Sequence, residues 1–319
     1  MNYSKKITEG ALLTAVYIVL LLVVIFVPFI FTFGVFILPI PFIIYASRHN
    51  WKPSLMMLLT AILLSLIFAT VISLPITLLV GIGGIVIGSA IHQKLSSYET
   101  WARGTIGFII GMVLVILILQ FVADVNIYNE MDVVIEDSIA MTKSIISQLG
   151  LEQDVELQFD LIEEQMYAFK DLLPSSIALF SILFAFISQW VSYKIINRLD
   201  QKQLSFPPFK NFNFPNSLIW IYFFALIFSF VDLDPTSSLY LIVYNALTVS
   251  TVLIAIQGFS FVFFYAEHKK IHKAAPISIV IVSLLLPFIF LFLIRIIGII
   301  DLGFSLKARL SNGNNTVNK

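Results

Sequence analysis

The sequence contains no cysteine, and only 12% of its 319 residues are charged. The missing cysteine excludes disulfides, thiolate metal sites and thiol nucleophiles. The scarcity of charge is equally restrictive, because a soluble domain carries about 25% charged residues. Hydrophobic residues make up 59% of the chain and include thirty phenylalanines. Apolar runs of about 20 residues match the thickness of a bilayer core, so the composition predicts an integral membrane protein surrounded by lipid.

The apolar runs predict an all-α, polytopic membrane helix bundle of about nine spans. The first run is long and has no small-residue cleavage site after it, which indicates an uncleaved span rather than a signal peptide. The predicted spans are Glu9–Phe26, Phe29–Tyr45, Pro53–Thr70, Ile76–Ile91, Gly104–Val122, Ser175–Ile196, Ser217–Val231, Leu239–Tyr265 and Pro276–Ile300. The chain thus divides into five segments. The first five spans occupy residues 1–123, the acidic segment occupies residues 124–171, and the sixth span occupies residues 172–197. Three additional spans occupy residues 198–304, and a polar tail occupies residues 305–319.

The distribution of lysine and arginine predicts a multi-pass cell-membrane protein with a cytoplasmic N-terminus. Basic residues gather in the short cytoplasmic loops of membrane proteins. With the N-terminus inside, thirteen of the nineteen basic residues fall in cytoplasmic segments. Five fall outside, including Lys307 and Arg309 of the tail. The same orientation makes residues 124–171 extracytoplasmic.

The acidic segment, residues 124–171, carries twelve carboxylates against two lysines. Gly150 supplies a helix stop within it, so we expect an extracytoplasmic amphipathic helical hairpin between spans five and six. Its apolar residues recur at helical spacing in two stretches, Met131, Ile135, Ile139, Ile146 and Leu149, then Val155, Phe159, Ile162, Met166, Phe169 and Leu173. Each predicted helix has an apolar stripe on one face and acidic residues on the other. Helices that lie on the lipid surface usually carry basic residues on the polar face, so this pattern favours a hairpin over the outer mouth of the bundle.

Pairs of glycines four residues apart mark helix faces that allow close packing. They occur at Gly84 and Gly88 in the fourth span and at Gly107 and Gly111 in the fifth. Lipid supplies no hydrophobic drive between helices, so small residues at an interface favour contact by letting backbones approach. We expect these pairs to pack the two spans together.

Arg295 is the charge predicted to lie inside a span. A charge at the bilayer centre costs about 2.5–3.5 kcal/mol on insertion scales, so this side chain should reach the interface or meet a carboxylate. A role in substrate binding is the third alternative. The candidate partners near the same predicted outer ends are Asp124, Asp232, Asp234 and Asp301.

The polar residues form no recognisable catalytic arrangement. His268 and His272 have the i, i+4 spacing of metal ligands, but three neighbouring lysines would repel a cation. No nucleophile stands at a definite spacing from a base. We therefore predict a non-enzymatic protein with no catalytic residues, no metal site, no cofactor and no nucleic-acid partner.

Short motifs in the second half of the chain are similar to those of a known family. They are Leu172-Leu173-Pro174, Pro207-Pro208-Phe209, Phe214-Pro215-Asn216-Ser217-Leu218-Ile219-Trp220, Gln257-Gly258 and Ile297-Gly298-Ile299-Ile300-Asp301, followed by Lys307 and Arg309. In these motifs the chain resembles the YybS-like family of uncharacterised bacterial membrane proteins over nearly its whole length. The resemblance implies a membrane protein and no particular activity.

A second, more distant resemblance covers the first six spans. Ala11-x-x-x-Ala15 in the first span, a proline-broken second span and a glycine-rich fourth span are similar to the substrate-binding (S) components of energy-coupling-factor vitamin transporters. This resemblance implies that Ala11 and Ala15 dock a coupling protein and that a substrate enters at the outer mouth. The three additional spans and the acidic insertion depart from it. The residues at predicted outer ends that would line such a pocket are Thr32, Phe33, Ser73, Asn126, Ser175 and Ser176.

The sequence is compatible with two functions. The first is a membrane protein that binds or transports a small molecule of unidentified structure through an S-component-like core. The second is a scaffold or regulator in cell-envelope or division assembly that docks a partner on its acidic outer face.

Overall fold

A computed structural model describes residues 3–27, 29–71, 73–148, 162–235 and 237–317. Every secondary-structure element within these ranges is a helix, which confirms the all-α class. The chain divides into two compact units, unit 1 (Met1–Phe206) and unit 2 (Pro207–Lys319).

The helices of unit 1 are α1 (Tyr3–Phe26), α2 (Ile30–Gly34), α3 (Ile40–His49), α4 (Trp51–Phe68), α5 (Ser73–His92), α6 (Ser97–Val122), α7 (Ile127–Gln148), α8 (162–168) and α9 (Leu173–Asp200). Those of unit 2 are α10 (Ser217–Ser229), α11 (Ser238–His268), α12 (Ala274–Leu285), α13 (Pro287–Phe304) and α14 (Leu306–Val317). Short 3₁₀ turns lie at Phe169–Leu172 and Phe209–Asn211.

Seven of the described helical stretches are long and apolar enough to cross a bilayer, which supports a polytopic membrane bundle. Two apolar helices, α10 and α12, are shorter. The seven stretches are Ser4–Phe26, Trp51–Phe68, Ser73–His92, Ser97–Val122, Ile162–Asp200, Ser238–His268 and Pro287–Phe304.

Local signals set the starts of several helices. Ser96 accepts a hydrogen bond from the Glu99 amide at 3.2 Å, in a Ser-x-x-Glu sequence typical of a helix start. This cap starts α6 seven residues before the predicted boundary at Gly104. Pro174 stands in the first turn of α9, where its missing amide hydrogen costs no hydrogen bond.

The predicted second span is divided into two short helices, α2 and α3, rather than forming one. Pro39 caps α3 and Pro41 stands in its first turn, and a proline inside a helix would remove a hydrogen bond and clash with the preceding turn. Nine of the ten residues of α3 are buried. This helix is therefore the centre of unit 1, enclosed by protein instead of lipid.

Glycines in α5 give α3 this central place. A Cβ atom on Gly84 would lie 2.8 Å from the Pro39 carbonyl oxygen, and one on Gly88 would lie 2.5 Å from that of Ile43. Both distances are too short for a side chain, so the two helices touch through their backbones. The partner of Gly84 and Gly88 is thus α3, and not the fifth span as predicted.

The glycines of α6 do pack on α5, as predicted. A Cβ atom on Gly107 would lie 2.8 Å from Val86 Cβ. One on Gly111 would lie 3.2 Å from Leu79 Cα. These contacts support the prediction that small residues bring the fourth and fifth spans together.

The acidic segment is described except for residues 149–161, and the predicted helix stop at Gly150 and the start of the second arm lie outside the described residues. In the described part, Ile135 and Ile139 of α7 are buried against Ile146, Met166 and Tyr167. Lys170 pairs with Asp132, and Lys143 lies 3.6 Å from Glu163. The described arms thus pack together around Ile135 and Ile139, whereas a lid over the bundle remains a prediction.

The predicted ninth span, Pro276–Ile300, is two helices that reverse direction. α12 begins at Ala274, close after α11 ends at His268, and Lys307 beyond α13 donates a hydrogen bond to Ser260 Oγ of α11 at 2.8 Å. A straight helix over 274–304 would be about 46 Å long, but Ser260 lies about 12 Å from the end of α11. The chain therefore folds back at Leu286, where Pro287 disfavours helical continuation.

This reversal changes the predicted position of the tail. Lys307 Nζ donates to the Phe212 carbonyl at 2.7 Å, two residues from Lys210, which pairs with Glu267. Lys307, at the start of α14, thus lies at the same end of unit 2 as Lys210, whereas nine successive spans would place the two lysines at opposite ends.

Candidate functional site

Three helix ends of unit 1 meet in an ionic cluster around Arg48. The Arg48 guanidinium, at the end of α3, binds Asp200 of α9 with contacts of 2.5 and 3.3 Å. It also pairs with Glu9 of α1. The second oxygen of Glu9 lies 2.7 Å from His49 Nε2. The carboxylates are mostly shielded from solvent, so this network ties the three helices together more firmly than a single exposed ion pair would.

Beside this cluster lies a cavity of about 700 Å³, formed only by residues of unit 1. Three cationic side chains, a histidine, a tyrosine and one carboxylate give it its chemistry. Its lining residues are Ser47, Arg48, Ile91, His92, Lys94, Leu95, Tyr193, Asp200, Lys202 and Leu204. The cavity has the size of a small-molecule site and an excess of positive charge.

The position of the cavity follows from the helix ends. α5 ends at His92, whose Nδ1 lies 3.1 Å from the Ser47 carbonyl of α3. Lys94 follows in the left-handed conformation that turns the chain after α5. On the opposite wall, Lys202 lies 3.6 Å from Asp200 just beyond α9. Basic residues at helix C-termini are also favoured by the helix dipole.

Unit 2 contains a second polar network, centred on Asp301 of α13. Asp301 is only 2% exposed. Its carboxylate accepts a hydrogen bond from Gln257 Nε2 at 2.6 Å and lies 3.3 Å from Lys307 Nζ. Gln257 also donates to Asn213 Oδ1 at 2.6 Å and accepts from the Phe214 amide. Burial lowers the pKa of Lys307 from its ordinary value, while the neighbouring carboxylate opposes this effect.

The helices of unit 2 approach most closely beside this network. A Cβ atom on Gly258 would lie 2.0 Å from the Ile294 carbonyl oxygen. One on Gly298 would lie 2.1 Å from that of Ile254. The sequence motifs around Phe214, Gln257-Gly258 and Gly298 to Asp301 therefore converge in one place, and their shared role is to join α10, α11 and α13.

None of the six residues predicted to line an outer pocket lines the cavity beside Arg48, and the outer pocket stays a prediction. Ser73 and Ser175 are buried and donate hydrogen bonds to the carbonyls of Thr70 and Leu172, at 2.6 and 2.9 Å. Asn126 caps α7 by accepting from the Tyr128 amide at 2.9 Å. The other three are exposed, namely Thr32, Phe33 and Ser176.

Ala11 and Ala15 lie on the exposed face of α1, opposite the buried Tyr17 and Leu21. In a membrane this face is open to lipid or to a partner helix. Docking of a coupling protein at these residues remains a prediction.

Arg295 does not have the partner that the sequence suggested. Asp301 is bound by Lys307, and within the described ranges Arg295 forms no ion pair with Asp232, Asp234 or any other carboxylate. Its guanidinium lies 5.2 Å from the centre of the Phe292 ring. This contact provides a weak cation–π attraction and leaves the charge uncompensated.

Sequence reasoning missed the Arg48 cluster. Glu9 precedes Arg48 by 39 residues, and Asp200 follows it by 152. No local spacing relates them. The one sequence pattern that they share is weak, because each is a charged residue at the end of an apolar run on the side predicted to be cytoplasmic.

The fold and these buried polar contacts define a polytopic helical membrane protein. Residues 15–302 match a family described as predicted membrane protein DUF2232, and the chain belongs to this family. It is also similar to the uncharacterized protein YybS of Bacillus subtilis (strain 168), with 29% identity over 311 residues, covering 97% of this chain and 100% of that protein. These matches confirm the YybS-like resemblance. No solved structure matches the chain. The likeness of its first six spans to S components stays a prediction.

Proposed function

We propose that this protein is a non-enzymatic membrane protein that binds a small molecule bearing a carboxylate or phosphate in the cavity of unit 1. The observation that carries the proposal is the meeting of Arg48, Lys94 and Lys202 around about 700 Å³ of space. Arg48 is already held by two carboxylates, so it serves mainly to fix the wall. Lys94 and Lys202 supply the charge for the ligand, and Tyr193 an additional polar contact.

This proposal keeps the small-molecule function that the sequence favours but changes the end of the bundle that performs it. None of the six predicted outer residues lines the charged cavity, which lies where α5 ends, at His92. With the orientation that the lysines favour, the cavity opens toward the cytoplasm. A ligand would then be bound or released on that side.

Charge reversal at the cavity should remove the ligand. In the double variant Lys94→Glu/Lys202→Glu the lining loses its positive excess, so we expect native mass spectrometry of the protein in native lipid to show loss of a bound small molecule. The matched control is Lys52→Glu, because Lys52 lies at another basic loop, over the Trp51 ring, and does not line the cavity. The proposal fails if wild type carries no small molecule or if the double variant retains it.

The sidedness can be measured separately, because the chain has no native cysteine to interfere. We expect a membrane-impermeant thiol reagent to label Ser144→Cys in intact cells and to leave Lys94→Cys and Lys270→Cys unlabelled until the cells are opened. The physical reason is the gathering of basic residues on the cytoplasmic side. Labelling of Lys270→Cys in intact cells would reverse the orientation.

The scaffold function is the alternative, and the acidic hairpin is the observation that favours it. Ile135 and Ile139 pack against the opposite arm, and Glu130, Glu136 and Asp137 are exposed. An envelope protein that stays bound in the native mass spectra, and is lost when Glu136 and Asp137 are changed to lysine, would favour this function over ligand binding.

A further inference from the structure

A cavity of about 380 Å³ lies between α11 and α13 of unit 2. Its wall is mainly apolar, with Val252, Ile256 and Phe259 on one side and Leu291 and Phe292 on the other. Its volume is within the range of small-molecule pockets. Such a wall suits a hydrocarbon chain, which gains free energy by contact with apolar side chains.

Arg295 adds a charge to this apolar cavity. Its guanidinium contacts the Phe292 ring and is matched by no carboxylate within the part of the chain that the structure describes. A cation in an apolar membrane setting is costly and usually meets an anion or marks a binding site. Asp301, the nearest acid along α13, is engaged by Lys307 and Gln257.

The depth of Arg295 suits a lipid headgroup. It precedes Asp301 by six residues, so it lies about 9 Å along α13 from the polar network at the end of the helix. A long arginine side chain can extend toward the headgroups while its methylene groups stay among apolar atoms. Its charge is thus within reach of the boundary between acyl chains and headgroups.

We propose that this cavity binds an anionic phospholipid, with the phosphate on Arg295 and part of an acyl chain between α11 and α13. The planar guanidinium can donate two parallel hydrogen bonds to a phosphate, which gives the site its preference for charge. The apolar wall holds the chain. This site belongs to unit 2 and does not depend on the ligand proposed for unit 1.

The test is native mass spectrometry of the full-length protein released from nanodiscs of equal phosphatidylglycerol and phosphatidylcholine. Wild type should retain phosphatidylglycerol preferentially, and Arg295→Gln should reduce this preference about tenfold, as expected for loss of charge-assisted hydrogen bonds. Arg295→Lys should keep part of it, since it preserves the charge without the planar fork. Arg309→Gln, which changes an arginine of α14 that does not line the cavity, is the matched control.

A second variant tests the chain-binding part without touching the charge. Ala255→Phe adds a ring to the lining and should lower phosphatidylglycerol retention while Arg295 is intact. Equal retention by wild type and Arg295→Gln, or no preference in wild type, would overturn the proposal. So would an Arg295-dependent thermal shift with inorganic phosphate that exceeds the shift with phosphatidylglycerol, because it would assign a soluble anion.

Discussion

Gly258→Val should strongly lower the melting temperature of the protein in detergent. Its Cβ atom would stand 2.0 Å from the Ile294 carbonyl oxygen, a backbone atom that cannot rotate away. α11 and α13 would have to separate, which would also disturb the facing contact of Gly298 with Ile254. We expect a loss of about 3 kcal/mol or more, at or beyond the upper end of ordinary overpacking.

Gly303→Val is the matched control for this prediction. A Cβ atom there would meet only the end of the Ile219 side chain, at 3.3 Å, which can adjust. Its melting temperature should stay close to that of wild type. If Gly258→Val melted within a degree or two of the control, the close approach of α11 and α13 would be wrong.

Lys307→Met should be the second severe change. It removes the ammonium group that faces Asp301 and leaves a carboxylate that is 2% exposed without its counter-charge. Removing one partner of a buried ion pair lowers the free energy of unfolding by about 3–5 kcal/mol. The double variant Asp301→Asn/Lys307→Met should recover much of this loss, because it leaves no buried charge.

Thermal unfolding of the four members of this cycle measures the coupling directly. Lys202→Met is a suitable control, since its pair with Asp200 is partly exposed and contributes less than about 1 kcal/mol. The dependence of thermal stability on pH is an independent check. Burial lowers the pKa of Lys307 in the folded protein below its value in the unfolded chain. At a pH between these two pKa values the unfolded chain binds more protons than the folded protein, so the stability of wild type should rise with pH in that range. Additive single effects would contradict the pairing, and a Lys307→Met protein with the same pH profile would contradict the burial of the Lys307 ammonium group.

The sequence predicts the helices well because apolarity, caps and prolines are local signals. The Pro174 start and the apolar length of α11 are examples, although the cap at Ser96 starts α6 earlier than predicted. The direction in which consecutive helices run is not set by a local signal. A hydropathy run extends through Leu286 and Pro287 without showing that the chain turns back there, so the sequence predicts one span where the structure has α12 and α13. The prolines of the Phe29–Tyr45 run do signal a break, but they do not show which helices surround it.

The candidate site is less predictable than the fold. The sequence places Lys94 and Lys202 in basic loops, but nothing in their spacing shows that they line the same cavity. Arg295 stands out as unusual from its apolar surroundings alone. Asp301, one of the four carboxylates suggested as its partner, is bound instead by Lys307 of α14.

The break between α2 and α3 has a consequence for how the protein is made. The Phe36 carbonyl lies in the non-helical stretch that joins these helices and accepts a hydrogen bond from Ser188 of α9 at 3.3 Å. The same helix supplies Phe184, whose ring lies 5.1 Å from that of Phe36. Ser188 leaves the ribosome 152 residues after Phe36 itself. Non-helical backbone at membrane depth needs protein around it, so the centre of unit 1 can be completed only late in synthesis, after the acidic hairpin has been made.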